Sequence, residues 1–248
     1  MNLPKNIFFY WHDKNLNNEL TNNINNYKKS YPDFNVKVIG YDDIILFQEE
    51  FSQLIELFKK IKIEACRSDI ARILILYRYG GIYIDINTIN KPFLNSNKNI
   101  YNLFDEYKHF NTAIMRKNNN NYDLGLSIIL SHPNSMFLLD FINQITTLLQ
   151  ELYNKEILSD NYVEYNILFL TGSVIACNLL DYKFNSDYRQ SLIGDNIYKE
   201  EKFIYYKIGV FEPDYYLKMY GCNMNHHHGN NFDKHWSKLQ QSNKLFKN

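Results

Sequence analysis

The stretch that most constrains this chain is Arg67-Ser-Asp-Ile-Ala-Arg72 followed by Tyr79-Gly-Gly-Ile-Tyr-Ile-Asp-Ile-Asn87. From about residue 63 to 79 the apolar positions recur with a helical period, and Gly80 suits the end of that helix because glycine tolerates positive φ. Residues 82–87 then alternate with period two, so Ile82, Ile84 and Ile86 share one face of a strand and Tyr83, Asp85 and Asn87 the other. At a rise of about 3.3 Å per residue, Asp85 and Asn87 lie roughly 7 Å apart at Cα. Two oxygen-bearing side chains so spaced can reach one divalent cation between them.

The surrounding pattern sets the fold class. Asn6 to Trp11 reads as a strand, Glu19 to Ser30 as a polar helix, and Asn35 to Ile39 as a second strand after the turn at Pro32-Asp33. Residues 43–61 read as one or two amphipathic helices, with Leu54, Leu57, Phe58 and Ile61 at helical spacing. Strands alternating with helices predict an α/β fold with a mostly parallel central sheet flanked by helices. Ligands of such sheets bind at the carboxyl ends of strands, where Asp85 and Asn87 fall. Gly-x-Gly-x-x-Gly and the phosphate-binding P-loop are both missing, so a nucleotide's phosphates would need a metal to neutralise them.

Further on, Asn111–Arg116 and Leu126–Leu130 read as strands separated by the polar run Asn118–Asn121, residues 135–152 and 163–181 as helices, and Phe203–Phe211 as a strand. From His226 onward the chain reads as irregular. No internal repeat or linker interrupts it, so residues 1–248 are expected to form a single domain.

Composition narrows the function classes. Hydrophobic residues make up 45 % and aromatics 16 %, which suits a folded core, and the formal net charge of zero offers no electrostatic footprint for nucleic acid. The three cysteines, Cys66, Cys177 and Cys222, lie far apart and form no metal or disulfide pattern, which favours a reducing compartment. The first apolar run is too short for a signal peptide, no stretch approaches the roughly 20 apolar residues of a membrane span, and no Asn-x-Ser/Thr site occurs. The expected location is cytoplasmic, in a bacterial, viral or host-cell cytosol.

Several segments together resemble the glycosyltransferases that carry an Asp-x-Asp motif, in particular family 32, and are more distantly similar to the glucosyltransferase domains of large clostridial toxins. Leu3-Pro-Lys-Asn-Ile-Phe-Phe-Tyr-Trp11 resembles the family's opening Pro-Lys-x-Ile-His-x-x-Trp strand. Ala65-Cys-Arg-Ser-Asp-Ile-Ala-Arg72, Leu76-Tyr77 and Gly80-Gly-Ile-Tyr-Ile-Asp85 resemble its core signature. Thr171-Gly172 is similar to a Thr-Gly-Pro motif with Ser173 in place of proline, and His226-His-His228 to His235-Trp236 is similar to a His…Ser-Trp ending with a longer spacer. A lone Asp-x-Asp is weak evidence; Ser-Asp-x-x-Arg leading into Gly-Gly-x-Tyr-x-Asp is specific. Two departures stand out: Asn87 replaces the second Asp, and His235 replaces the Ser before the last Trp.

The resemblance implies a GT-A type nucleotide-sugar-binding fold, a nucleotide diphosphate sugar donor (UDP-linked in the first instance), a glycan or protein acceptor, and Mn²⁺ or Mg²⁺. It also implies a retaining course. Asp85 is then the expected metal ligand, against the plainer reading of a strand-end carboxylate capping a turn. Asn87 is either a second ligand or a turn former. Asp69 and Arg72, neighbours at i,i+3, form either a surface ion pair or, as the family implies, the site that orients the donor sugar, with Asp69, Arg72 and Asp85 as the catalytic set. Trp11 either stacks on the nucleobase or belongs to the core. Tyr83, Gly81 and Trp236 complete the expected donor contacts, Trp236 as a lid. Of the three adjacent histidines, which are either solvated or near the metal, His228 is the expected further ligand. Arg67 is expected to be a solvated charge.

Overall fold

The computed structural model describes residues 3–92, 95–116, 124–180, 205–219 and 235–247. Its frame is a six-stranded sheet with the strand order β2-β1-β3-β5-β4-β6. The strands are β1 (Asn6–Tyr10), β2 (Asn35–Ile39), β3 (Gly81–Ile84), β4 (Thr112–Arg116), β5 (Leu124–Ser131) and β6 (Ile208–Phe211). β1 pairs in parallel with β2 and β3, and β4 with β6, while β5 runs antiparallel to both of its neighbours. Five strands therefore point the same way, which matches the expected α/β class with one reversed strand inside the sheet.

Alternation along the strands makes two cores. Phe8, Tyr10, Tyr83, Ile114, Leu126, Ile129 and Val210 pack on one face, under α3 (Ser52–Lys60), α4 (Glu64–Tyr79), α6 (Met136–Leu158) and α8 (Ser173–Leu179). Ile7, Phe9, Trp11, Ile82, Ile84, Ile86 and Met115 pack on the other, against α1 (Asn18–Ser30) and α5 (Ile100–Tyr107). The two-face reading of residues 82–86 therefore holds for the isoleucines and Tyr83. Their burial removes apolar surface worth about 1.5–3 kcal/mol per large side chain, and that drives both layers onto the sheet.

The junction between α4 and β3 needs both glycines. Gly80 has φ 60° and Gly81 φ 109°. A Cβ on Gly80 would lie 2.6 Å from Pro133 Cδ, and one on Gly81 2.6 Å from the Asn6 carbonyl oxygen. The second contact is with main chain, which cannot rotate away, so a side chain there would push β3 off β1.

Several expectations are corrected. The strand predicted to run to residue 87 stops at Ile84, because the backbone turns from Asp85, whose carbonyl accepts from Thr88 N at 2.9 Å. Asn23 of α1 fastens that turn, donating to the carbonyls of Ile86 and Thr88 at 3.1 and 2.9 Å. The helix predicted over 163–181 is two short ones, α7 (Ile167–Leu170) and α8, split at Thr171-Gly172. Of the strand predicted over Phe203–Phe211, residues 203–204 lie outside the described residues and the described part is strand only in β6, while the region read as irregular contains α9 (Trp236–Leu239). Residues 43–61 hold α2 (Tyr41–Ile45) and α3.

Candidate active site

At the carboxyl ends of β1 and β3 lies a cavity of about 580 Å³. One wall comes from a continuous stretch: Ile63, Glu64, Ala65, Ser68, Asp69 and Arg72 on α4, then Tyr83, Asp85 and Asn87 at the end of β3. The facing wall is assembled from Met115, from Gly125, Leu126 and Ser127 on β5, from Ile167, Leu168, Gly172 and Ser173, and from His235, Trp236 and Leu239. Tyr10 and Trp11 close the β1 end.

Arg72 is the centre of the polar network. Its guanidinium is only 7 % exposed and directs Nε to the Ser68 carbonyl at 3.3 Å, Nη1 to the Leu126 carbonyl at 2.8 Å and Nη2 to Ser68 Oγ at 3.0 Å. Nη2 also lies 3.2 Å from Asp69 Oδ1 and 3.3 Å from Asp85 Oδ1. The Tyr83 ring sits under the guanidinium, with its centroid 4.9 Å away. So the side chains read as an i,i+3 ion pair form a buried cluster that bridges α4, β3 and β5. The plain surface reading of Asp69–Arg72 does not survive. Because Arg72 donates to protein oxygens through all three nitrogens, it acts here by fixing two carboxylates.

Asp85 is held through one oxygen. Its Oδ1 takes Arg72 and, at 3.2 Å, the Tyr83 hydroxyl, whereas Oδ2 has no protein partner among the described residues. Burial pushes the Tyr83 hydroxyl well above its ordinary pKa, so it stays a donor at neutral pH. The Asp85 backbone N–H continues the sheet, donating to the Ser127 carbonyl at 2.8 Å, which fixes where the side chain leaves the strand end.

Asp69 is buried deeper. Burial raises its pKa from 3.8 to about 6; the Arg72 charge and the hydrogen bond from Thr171 act against that rise, and Asp85 adds to it. Thr171 Oγ1 donates to Asp69 Oδ2 at 2.9 Å, which ties the Thr-Gly motif to the Ser-Asp-x-x-Arg motif across the cavity.

Asn87 lines the cavity from inside the Asp85–Thr88 turn, so its turn-forming role is real and its side chain is still at the site. Trp11 belongs to the core and also lines the cavity: it is only 6 % exposed, its indole N–H donating to the Asn15 carbonyl at 3.1 Å. Trp236 lies on the facing wall, at the start of α9, whose N-cap is His235. Gly81 is corrected. It stands at the opposite end of β3 from Asp85, pressed against Asn6, and does not line the cavity. Arg67 is corrected too, being 9 % exposed, paired with Glu64 at 2.7 Å and stacked over Tyr41 and Phe58. His228 lies outside the described residues.

Sequence reading missed Glu64, whose carboxylate takes Arg67 on Oε1 and the Tyr10 hydroxyl, at 3.4 Å, on Oε2. It also missed the β5 contribution. The only available signal for Glu64 was its position one turn before the Ser-Asp pair, and apolar Leu126 looks like any strand residue.

The residues fit a hard divalent cation. A carboxylate oxygen without a partner among the described residues and an amide lie on one turn, and both are oxygen donors of the kind Mg²⁺ and Mn²⁺ take alongside substrate phosphates and water. Among the described residues no group of three or more His, Cys, Asp or Glu forms a ready-made metal cage.

Residues 17–102 match a family described as a glycosyltransferase sugar-binding region containing a DXD motif, a span that includes α4, β3 and Asp85-Ile86-Asn87. The family resemblance drawn from sequence is thereby borne out. Over 89 residues the chain is 29 % identical to inositol phosphoceramide mannosyltransferase 1 of Schizosaccharomyces pombe (strain 972 / ATCC 24843); the match covers 34 % of this chain and spans only 28 % of that protein. The fold is similar to the ligand-free glycosyltransferase domain of the YGT toxin, with a TM-score of 0.52 at 10 % identity over 85 % of this chain and 80 % of that one. The UDP-bound form of that domain aligns with a TM-score of 0.49 at 10 % identity, over the same shares of the two chains. The GT-A type α/β fold expected from sequence is what the sheet and the toxin-domain likeness display.

Proposed function

We propose that this chain is a metal-dependent retaining glycosyltransferase. It moves a hexose or N-acetylhexosamine from a UDP-linked sugar to an acceptor hydroxyl on a glycan or protein, in a cytosol. The observation that carries the reading is Asp85. Its carboxylate stands at the carboxyl end of β3 with one oxygen held by Arg72 and Tyr83, and it faces a cavity large enough for a nucleotide sugar.

Asp85 and Asn87 would hold the cation, His228 being a further ligand in the proposal. When bound, the cation neutralises the donor's diphosphate and stabilises the departing nucleoside diphosphate. The chain's own residues do the rest. Arg72 and Tyr83 hold one Asp85 oxygen and so orient its carboxylate. Asp69, fixed by Arg72 and Thr171, accepts from a donor-sugar hydroxyl and so orients the sugar. Trp11 offers an aromatic face to the base, and Trp236 covers the mouth and limits water. The cavity carboxylates Glu64, Asp69 and Asp85 are each held by neighbouring side chains, so none is assigned as a covalent nucleophile, and a same-face departure and attack suits the retaining course. The cytosolic assignment is supported by Cys66, a buried thiol outside any disulfide.

Asn87 favours a second reading, a degenerate member that binds a sugar nucleotide without transferring it. One experiment tests both. Thermal stabilisation by UDP is measured with Mn²⁺ and with chelator, then hydrolysis of a UDP-sugar is followed under the same conditions. Ligand at a hundred times Kd should raise stability by about 2.7 kcal/mol, and only with the metal. Equal stabilisation in chelator sinks the metal-dependent reading, and metal-dependent binding without any hydrolysis selects the binder.

A further inference from the structure

Glu156 is the only Asp or Glu among the described residues with less than a tenth of its surface exposed, at 5 %. It lies in the last third of α6, and among the described residues no Arg or Lys side chain is paired with its carboxylate. A carboxylate so placed is costly unless hydrogen bonds satisfy it. Here they come from backbone: Leu245 N donates to Oε1 at 2.7 Å and Phe246 N to Oε2 at 3.1 Å. Lys244 Nζ adds bonds to the carbonyls of Glu156 and Ser159 at 3.1 and 2.6 Å. The clamp therefore grips the far end of the segment 235–247.

That segment is a strap joining the cavity's two walls. Near its start His235, Trp236 and Leu239 line the facing wall. Gln240 Oε1 accepts from Ile167 N at 3.0 Å, and the Asn243 carbonyl accepts from the Tyr165 hydroxyl at 2.8 Å, which binds α9 to the α7 region. At its end Phe246 bridges Ile61, Lys62 N donates to the Leu245 carbonyl at 2.8 Å, and Lys247 N to the Lys60 carbonyl at 2.8 Å. Residues 60–62 run directly into Ile63, Glu64 and Ala65 of the opposite wall. Leu245 and Phe246 are 0 % and 2 % exposed, so without Glu156 their seated amides would be buried and unpaired.

We propose that Glu156 is a positioning residue for the cavity: by capturing the amides of Leu245 and Phe246 it seats the strap that holds Trp236 and Leu239 against the α4 wall, and so sets how tightly a nucleoside diphosphate is retained. The proposal rests on the donor-site reading for its ligand, but the seating of the strap can be read without one. Glu156 lies outside the cavity and touches no reacting group, so its effect reaches the site only through the strap.

The test combines amide hydrogen exchange with UDP–Mn²⁺ binding in the full chain, for wild type, Glu156→Gln, Glu156→Ala and the control Leu103→Ala, a core truncation in α5 on the other face of the sheet. The Gln variant keeps one acceptor oxygen, so its effects should lie between wild type and Ala. Expected is faster exchange at 245–246 that spreads to the α9 amides of 238–240, with a Kd for UDP–Mn²⁺ raised about tenfold in the Ala variant. Leu103→Ala, compared at a similar loss of Tm, should leave that Kd within about twofold, since it acts on stability alone. Faster exchange confined to 245–246 with unchanged UDP affinity overturns the proposal, as does an equal loss of affinity in Leu103→Ala. If wild type fails to bind UDP–Mn²⁺, the donor-site reading fails instead, and the spread or confinement of exchange still decides the strap.

Discussion

The two walls of the cavity are made in opposite ways. The α4–β3 wall is one stretch of chain, Ile63 to Asn87, in which a helix, two glycines and a strand bring the polar groups together. The facing wall is collected from β4, β5, α7, α8 and α9, and is mostly apolar, with Leu126, Ile167, Leu168 and Leu239 beside Trp236. Charge is concentrated on the contiguous side, at Asp69, Arg72 and Asp85, and shape on the assembled side. This division suggests that chemistry is carried by the first wall and retention by the second, and substitutions should separate the two.

The largest effect should come from Asp85→Ala. Removing the oxygen that stands ready for the cation should lower donor hydrolysis and transfer by about a thousandfold, the equivalent of roughly 4 kcal/mol of transition-state stabilisation. Arg72 keeps Asp69 and the Ser68 and Leu126 oxygens, so the fold should survive with a cost of about 1 kcal/mol. Initial rates and a thermal melt check both. Normal turnover would remove Asp85 from the chemistry, and failure to fold would make the contiguous wall structural.

Asp69 and Thr171 form one of the hydrogen bonds that join the walls, and pH reads it. If ionised Asp69 orients the sugar, kcat/KM should fall about tenfold per pH unit below pH 6 and level off above it, because burial holds the folded pKa at about 6. Thr171→Val removes a bond that favours the charged form, so the limb should move to higher pH. Stability has a definite sign. The folded pKa lies above the ordinary 3.8, so between about pH 4 and 6 the unfolded chain is ionised while the folded one is not. Stability therefore falls as pH rises through that window, and at about 1.4 kcal/mol per pH unit the cost reaches roughly 3 kcal/mol above pH 6. Asp69→Asn should abolish both the rate limb and this slope. A limb that stays in place in Thr171→Val would show that the walls are not coupled through this bond.

The same contrast explains what could be read before the structure. The helix, the Gly-Gly junction and the facing of Ile82, Ile84 and Tyr83 follow from periodicity inside one stretch, and the structure has them within a residue or so. The early end of β3 was not legible, since the turn is held by Asn23, more than sixty positions away in the chain. Arg67 read as solvated because its aromatic neighbours Tyr41 and Phe58 come from other helices. The helix predicted over 163–181 breaks at Thr171-Gly172, where the chain folds so close to Leu168 that a Cβ on Gly172 would sit 2.8 Å from its Cα, a close approach no periodicity shows. Apolar residues such as Met115 and Leu126 carry one pattern whether they face a core or a ligand.

The smallest and most discriminating effect is expected at Asn87. The turn from Asp85 to Thr88 fixes the Asn87 backbone, and the side chain still lines the cavity, so an acidic replacement should fit without moving the fold. Asn87→Asp adds a second negative oxygen beside Asp85, and affinity for hard cations rises with ligand charge. The Mn²⁺ concentration for half-maximal donor hydrolysis should therefore fall by about three- to tenfold, a coupling of roughly 1 kcal/mol between partly solvated groups. The maximal rate should change little, because saturating metal already fills the site in the parent chain. A lowered requirement means that Asn87 is a weakened ligand in a working enzyme. Tighter Mn²⁺ binding with no hydrolysis in either form would select the degenerate binder. An unchanged or raised requirement would assign Asn87 to the turn alone and leave Asp85 as the one residue of this turn that meets the metal.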